Sequence, residues 1–375
     1  MQDAASNNSM SLPVIEELKP RTDQMPSGEM LLNFWYAPLR SDQVKPGQMR
    51  RQILLNVPLL ICRDNNGEVF VLDDHCPHRG IPLSDGRFDG NCVECCYHGW
   101  QFDREGKCTH IPALLPDSNV KVDRIKARSF RTAESDGYIW VFMPSPKSKI
   151  SAIPELPRLP IHSENYRICS ISRKLSGNID HGIVGLMDPA HGPFVHNSFW
   201  WRSKKSIHAK SKQFEPIPNG FRMSAHKPSK NSGAYKLLNI YGDGISTTID
   251  FFLPNVRIEQ IRCGKAWFSS RTLVTPISTD ECRLDITAAW NILSGVPFVK
   301  SVFKIFAHWF VGQDQRIMEK QSVGLKDNPP LMLIDDSDTQ AKWYYRLKGA
   351  YLESQRSGLP MEHPIKAPVT LQWRS

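Results

Sequence analysis

No segment of this 375-residue chain stays apolar over a length that crosses a bilayer. The best candidate, residues 296–312, is interrupted by Lys300, Lys304 and His308 at every fourth position. One polar stripe along an apolar segment predicts an amphipathic helix against a core, so no membrane span is expected. Residues 1–10 carry neither a basic start nor an apolar run; no secretory leader is expected, and the expected location is cytoplasmic. Internal repeats and low-complexity tracts are missing too. So is a disulfide framework: nine cysteines, an odd number, bunch around residues 76–96, as in a protein kept reduced. The net charge is +9, yet the basic residues are spread along the chain without a recognition motif. Nucleic acid is therefore not an expected partner, although Phe199-Trp200-Trp201-Arg202 beside Lys204, Lys205, Lys210 and Lys212 could stack on bases. Length and a 40% hydrophobic content allow two or three domains with sizeable cores.

What the chain concentrates is metal-binding side chains. Cys76-Pro77-His78 and Cys95-Cys96-Tyr97-His98 read as C-x-H, sixteen residues, then C-x-x-H. Two thiolates with two imidazoles suit either tetrahedral zinc or a [2Fe–2S] cluster in which two His replace two Cys on one iron. Zinc pairs normally use C-x(2–4)-C and H-x(3–5)-H, a pattern these loops do not follow. Iron analysis and visible absorption separate the two readings.

The longer stretches Cys76-Pro77-His78-Arg79-Gly80 and Cys95-x-Tyr97-His98-Gly99-Trp100 resemble the two ligand loops of Rieske iron–sulfur domains. The resemblance implies one [2Fe–2S] cluster per subunit, with Cys76 and Cys95 on one iron and His78 and His98 on the other. Imidazole ligands raise the potential from about −400 mV to roughly −150 to +300 mV, which suits single-electron relay. Respiratory-chain Rieske proteins add a disulfide between the loops. The matching positions here are Ile81 and Tyr97, which points to the ferredoxin and oxygenase branch. Cys92, Cys96 and His75 read as bystanders. A basic surface would also attract an acidic electron donor.

A second signal lies in Asp188-Pro189-Ala190-His191-Gly192-Pro193-Phe194-Val195-His196. Two His five residues apart fall about 140° apart on an ideal helix. Gly192-Pro193 is expected to break that helix and let both rings turn to one point. Two imidazoles and one carboxylate make the facial triad of non-haem Fe(II) sites. Val302, Phe306, Phe310, Asp314 and Met318 recur every fourth residue, which puts Asp314 on an apolar stripe, where an unpaired carboxylate is costly. Asp314 is the nominated third ligand, and Glu319 falls away from the stripe. A capped or ion-paired core Asp is the alternative.

With both signatures in this order, the chain resembles the catalytic (alpha) subunit of Rieske non-haem iron oxygenases over nearly its whole length. The single-chain layout, with Ile111-Pro112 after the cluster loops, looks like the vanillate-demethylase and phthalate-type monooxygenase branch; a ring-dihydroxylating alpha subunit and a non-catalytic Rieske electron carrier are the alternatives. The resemblance implies mononuclear Fe(II) at His191, His196 and Asp314, electrons from NAD(P)H through a reductase or ferredoxin, and hydroxylation or demethylation of a small organic substrate with O₂. It also implies a homotrimer in which Asp188 bridges one subunit's cluster His to the next subunit's iron His. Gly185 and Val184 replace a polar pair common in the family, and Asp180 and His181 are the nearest polar substitutes.

The expected fold is α+β. A polar arm over residues 1–29 precedes an all-β Rieske domain over 30–145, with a Pro-containing linker near 144–160. The resemblance implies a helix-grip (START-like) catalytic domain over 146–375, with a curved antiparallel sheet and a long C-terminal helix. Apolar and alternating runs predict strands over residues 214–224, 236–240, 246–252, 256–262, 266–276 and 283–290, and a helix over 296–321. Trp200, Trp201, Phe251, Phe252, Phe306 and Phe310 are candidate pocket walls, with core packing the alternative.

Overall fold

The computed structural model describes residues 28–146, 153–197, 204–226, 242, 244–293 and 295–375. Most of the polar arm, the aromatic stretch 199–202 and the strand expected over 236–240 lie outside the described residues.

Short strands dominate the first part because its β-branched and aromatic runs are cut every few residues by Gly, Asn and Asp. Gln48–Leu54, Val57–Arg63, Val69–Asp73 and Ser129–Phe130 form one four-stranded sheet, and Phe34–Arg40, Tyr138–Met143 and Thr132–Ser135 a three-stranded one. A third sheet of very short strands (Arg87–Phe88, Val93–Glu94, Gln101–Phe102, Cys108–His110) frames the cysteine loops. Leu55 and Asn56 both have positive φ, 54° and 62°, as a two-residue hairpin turn requires. Leucine is a poor choice there on local grounds. Its side chain is buried, and the two turn N–H groups donate to the Pro276 and Ile277 carbonyls at 3.2 and 3.1 Å. Tertiary contact overrides local preference.

The second part is built on one eight-stranded antiparallel sheet. Its order is Arg167–Ser176, Glu281–Trp290, Ala266–Ser278, Val256–Cys263, Ser246–Phe252, Gly220–His226, Ala209–Ile217 and Val369–Arg374. The run expected as one strand over 214–224 is a hairpin, turned at Asn219 with φ 56°. One face of the sheet meets the small domain through Tyr138, Trp140, Val256, Ile258 and Leu273. Arg271 sits at this seam with its side chain fully buried, donating to Asp136 Oδ2 at 2.6 Å and lying over the Tyr138 and Trp140 rings. Phe252 packs here too, so it lies on the face away from the helices and is not a pocket wall.

Three helices cover the other face: Ile179–Met187, the long helix Val299–Gly324, and Thr339–Ser357. The last was not anticipated, and it closes much of the core. Trp343 packs edge-on to Phe214 and Phe221, and Tyr344 edge-on to Phe251, at centroid distances of 5.4–5.8 Å. Phe251 is therefore core. The expected helix over 296–321 appears as Val299–Gly324, but its phase differs from the every-fourth-residue stripe. Steps of four drift about 40° each on a 3.6-residue helix. Val302, at the start of that stripe, is 64% exposed, whereas Ala307, Val311 and Met318 are buried. Asp314 still falls on the inward side.

Asp180 does not stand in for the missing polar pair. It is buried and accepts from Tyr344 Oη at 2.5 Å and from Lys348 Nζ at 2.7 Å on each oxygen. The pair ties the helix leading to Asp188 to the last helix. Lys348→Met strands this carboxylate and is expected to cost about 3–5 kcal/mol, read as a lower urea midpoint. Asp180→Leu combined with Lys348→Met is expected to recover most of that loss.

Candidate metal centres

The two cysteine loops share one backbone form. Cys76 N–H donates to the Ile81 carbonyl at 2.8 Å and Gly80 N–H returns to Cys76 O at 2.8 Å; Cys95 with Trp100 and Gly99 repeats this at 2.9 and 3.0 Å. Gly80 and Gly99 have φ of 72° and 67°, a conformation that favours glycine and lets each loop fold back. Cys76 and Cys95 are buried, and burial pushes the Cys76 thiol up to about 11. His78 stacks flat on Trp100, 4.4 Å apart with 3° between planes, and its ring lies 4.5 Å from that of His98. The buried His78 Nδ1 has no hydrogen-bond partner among the described residues. Two buried thiols beside an orphaned imidazole nitrogen fit a bound metal and do not fit a finished apolar core.

The bystanders separate from this group. Cys96 is exposed, and His75 turns to Asp73 Oδ1 at 2.5 Å. The loop tips, including Pro77, Arg79 and Tyr97, are exposed, with the Arg79 guanidinium 5.8 Å from the Tyr97 ring centre.

The second group converges on one point. His191 Nε2 lies 3.2 Å from His196 Nε2, and Asp314 Oδ1 lies 3.1 Å from His196 Nε2 and 3.8 Å from His191 Nε2. Gly192-Pro193 does not break a helix here. Pro193 sits in the first turn of a four-residue helix, Gly192–Val195, where its missing N–H costs nothing, and the two His cap its ends. Each outer ring nitrogen is held. His191 Nδ1 is 2.8 Å from the Asp188 backbone oxygen, and His196 Nδ1 is 2.8 Å from Gln313 Oε1. Those acceptors assign the proton to Nδ1 on both rings, leaving two Nε2 lone pairs facing each other. Only a shared cation or an extra proton makes that arrangement favourable. Burial lowers the His191 pKa, but the Asp188 and Asp314 carboxylates outweigh it and hold the ring above its ordinary value. The site draws positive charge.

Phe310 stacks on the His196 ring at 3.7 Å and 15°, and fixes its plane. Asp188 is partly buried; burial would raise its carboxyl, but His191 and the Ala190 N–H, at 2.7 Å from Oδ1, hold it below the usual range. Gln313 gains a role here that its place beside Asp314 in the sequence did not assign. It precedes Asp314 by one position, about 100° round the helix, and so reaches the far side of the same imidazole. Gln313→Leu is expected to weaken ferrous binding about 10–100-fold, measured by anaerobic titration, with the cluster spectrum unchanged.

Comparison with known proteins agrees with this layout. Residues 34–128 match the Rieske [2Fe-2S] domain. The chain is 34% identical over 176 residues to the oxygenase subunit of 3-chlorobenzoate-3,4-dioxygenase from Comamonas testosteroni, covering 46% of this chain and 39% of that protein. It is 34% identical over 141 residues to 4beta-methylsterol monooxygenase from Methylococcus capsulatus, covering 37% and 38%. Matches to these two curated relatives span about two fifths of their length. Among solved structures, the NdmA QL mutant of Pseudomonas putida CBB5 with theobromine superposes with a TM-score of 0.70 at 18% identity, over 90% of this chain and 96% of that one. The first part of the chain is thus a Rieske [2Fe–2S] domain. The two curated relatives are named oxygenases, and the solved structure shares the fold over nearly the whole chain.

Proposed function

We propose that this chain is the terminal oxygenase of a Rieske system, acting with O₂ on an aromatic or polycyclic substrate and fed from NAD(P)H by a reductase or ferredoxin. The cluster domain is assigned to residues 30–145 and the iron domain to 146–375. The observation that carries this reading is the meeting of His191 Nε2, His196 Nε2 and Asp314 Oδ1 around one point. Cys76, His78, Cys95 and His98 would hold the [2Fe–2S] cluster, and His191, His196 and Asp314 one Fe(II). When bound, the cluster supplies single electrons and the iron supplies dioxygen activation.

The chain's own groups prepare that chemistry. Asp188 O and Gln313 fix both imidazole tautomers, so the lone pairs on Nε2 are ready for metal. His191, His196 and Asp314 would hold an iron from three sides only, which would leave it accessible to O₂. The Asp188 carboxylate, 3.5 Å from His191 Nδ1 and still 31% exposed, remains reachable by an imidazole of a neighbouring subunit. The exposed loop tips are the edge such a neighbour would cover, which supports a head-to-tail homotrimer. Among the described residues no helix is long and apolar enough to cross a membrane.

Hydroxylating a methyl carbon on O or N gives an unstable hemiacetal or aminal, so demethylation and hydroxylation are one reaction on different substrates. Substrate-stimulated O₂ uptake with a surrogate reductase, screened over methoxyarenes, N-methyl compounds and steroids, tests the reading. Reduction of the cluster with no substrate-dependent O₂ uptake after ferrous loading would instead identify an electron carrier.

A further inference from the structure

Directly paired residues of an antiparallel sheet point to the same face. Glu259 pairs with Ser270, and Ser270 with Ala288. Ala288 packs with Trp290 against Phe303 of the long helix. Glu259 therefore faces the helix that carries Asp314. Arg257, two residues before it, shares that face; its paired neighbours are Phe251, which packs on Tyr344, and Thr272. Arg257 Nη1 donates to Glu259 Oε2 at 3.1 Å, with side-chain exposures of 19% and 21%. They are the sole charged residues on this face of the four strands Ser246–Phe252, Val256–Cys263, Ala266–Ser278 and Glu281–Trp290.

An ion pair set among Phe251, Ile249, Ile261 and Phe268 adds little stability over an apolar pair of the same volume. It is also incompletely used. One guanidinium N–H reaches Glu259, which leaves donors on Arg257 and an acceptor oxygen on Glu259 side by side. One row along the same face, the buried Thr247 hydroxyl has no partner among the described residues. His226, paired with Thr247, is held below its ordinary pKa by burial, so its ring is neutral.

We propose that the Arg257–Glu259 pair is a specificity-determining element of the oxygenase site, recognising a neutral hydroxyl or carbonyl group on an otherwise apolar substrate. The inference rests on the terminal-oxygenase reading for its location and names the substrate class that reading leaves open. The pair is electrically neutral. It matches a group that accepts from Arg257 and donates to, or avoids, Glu259, whereas a carboxylate would meet Glu259 at close range in a partly buried site. A site that hydrogen-bonds a substrate oxygen discriminates strongly against the analogue lacking it, because its own polar groups are then stranded.

The test is calorimetric binding to the full chain, without turnover. The probes are a matched set: a 3-hydroxysteroid, the 3-ketone, the 3-deoxy hydrocarbon and a steroid carboxylate, with 4-methoxybenzyl alcohol and 4-methoxybenzoate as small counterparts. The hydroxyl or ketone compounds are expected to bind at least about tenfold tighter than the deoxy compound and the carboxylates. Arg257→Leu is expected to erase that preference, Arg257→Lys to keep part of it, and Glu259→Gln to let carboxylates in. Preference for a carboxylate by the unaltered chain, a preference that survives Arg257→Leu, or no binding by any neutral oxygenated probe would overturn the proposal. Cluster absorbance and ferrous loading, measured on the same samples, report separately on the oxygenase reading.

Discussion

Asp314→Ala is expected to leave a folded, coloured protein that no longer consumes O₂ in response to substrate. Asp314 supplies the one carboxylate oxygen in the triangle with His191 and His196, and no second acid is grouped there among the described residues. Without it two neutral imidazoles remain, a weak ferrous site with no charge compensation. Bound iron is expected to fall from about three per chain to about two, those of the cluster. Several kcal/mol of charge stabilisation go with the lost metal, so activity should drop by about 10³-fold or more. The cluster loops belong to a separate sheet with its own buried set, Leu83, Val93, Phe102 and Cys108, so the visible spectrum should persist. The alternative role of Asp314 as an ion-paired core residue predicts the reverse, a loss of stability with iron retained.

Asp188→Asn is expected to separate metal binding from electron delivery. The ring of His191 is held through the Asp188 backbone oxygen, which the substitution leaves in place, so iron loading should change little. What changes is the charge of a side chain that lies 3.5 Å from His191 Nδ1 and is partly open to a neighbouring molecule. If that carboxylate couples cluster and iron between subunits, reoxidation of the reduced cluster in a single turnover should slow by about 10–100-fold. Equal rates in both proteins would remove Asp188 from the relay and leave it a structural cap of the short helix.

The local chemistry of this chain was more legible than its packing. Short spacings such as C-x-H with C-x-x-H, and H-x(4)-H, survive translation into structure because each is held within a single loop or turn. The strands over 246–252, 256–262, 266–276 and 283–290 were readable for a similar reason: apolar runs bounded by turn residues leave little choice. The last helix was not. Trp343, Tyr344 and Leu347 bury against the sheet while Lys348 is buried by pairing with Asp180, so charge and hydrophobicity share one face and blur the helical pattern. The long helix was found with its phase misread, since a strict step of four drifts off one face over the four-odd turns from Val302 to Met318. Gln313 had no signal of its own, because orienting an imidazole needs only a carbonyl oxygen in the right place. Phe251 and Phe252 show the limit most plainly: adjacent aromatics in a strand point to opposite faces, and sequence alone does not say which face meets a substrate.

Iron counting on the intact chain, loaded with ferrous ion without oxygen and freed of loose metal, tests the two-centre account most directly. About three irons per chain are predicted, with Mössbauer spectra resolving a high-spin ferrous site apart from the cluster and that site vanishing in His191→Ala and Asp314→Ala alike. Two irons per chain, all in the cluster, would contradict it.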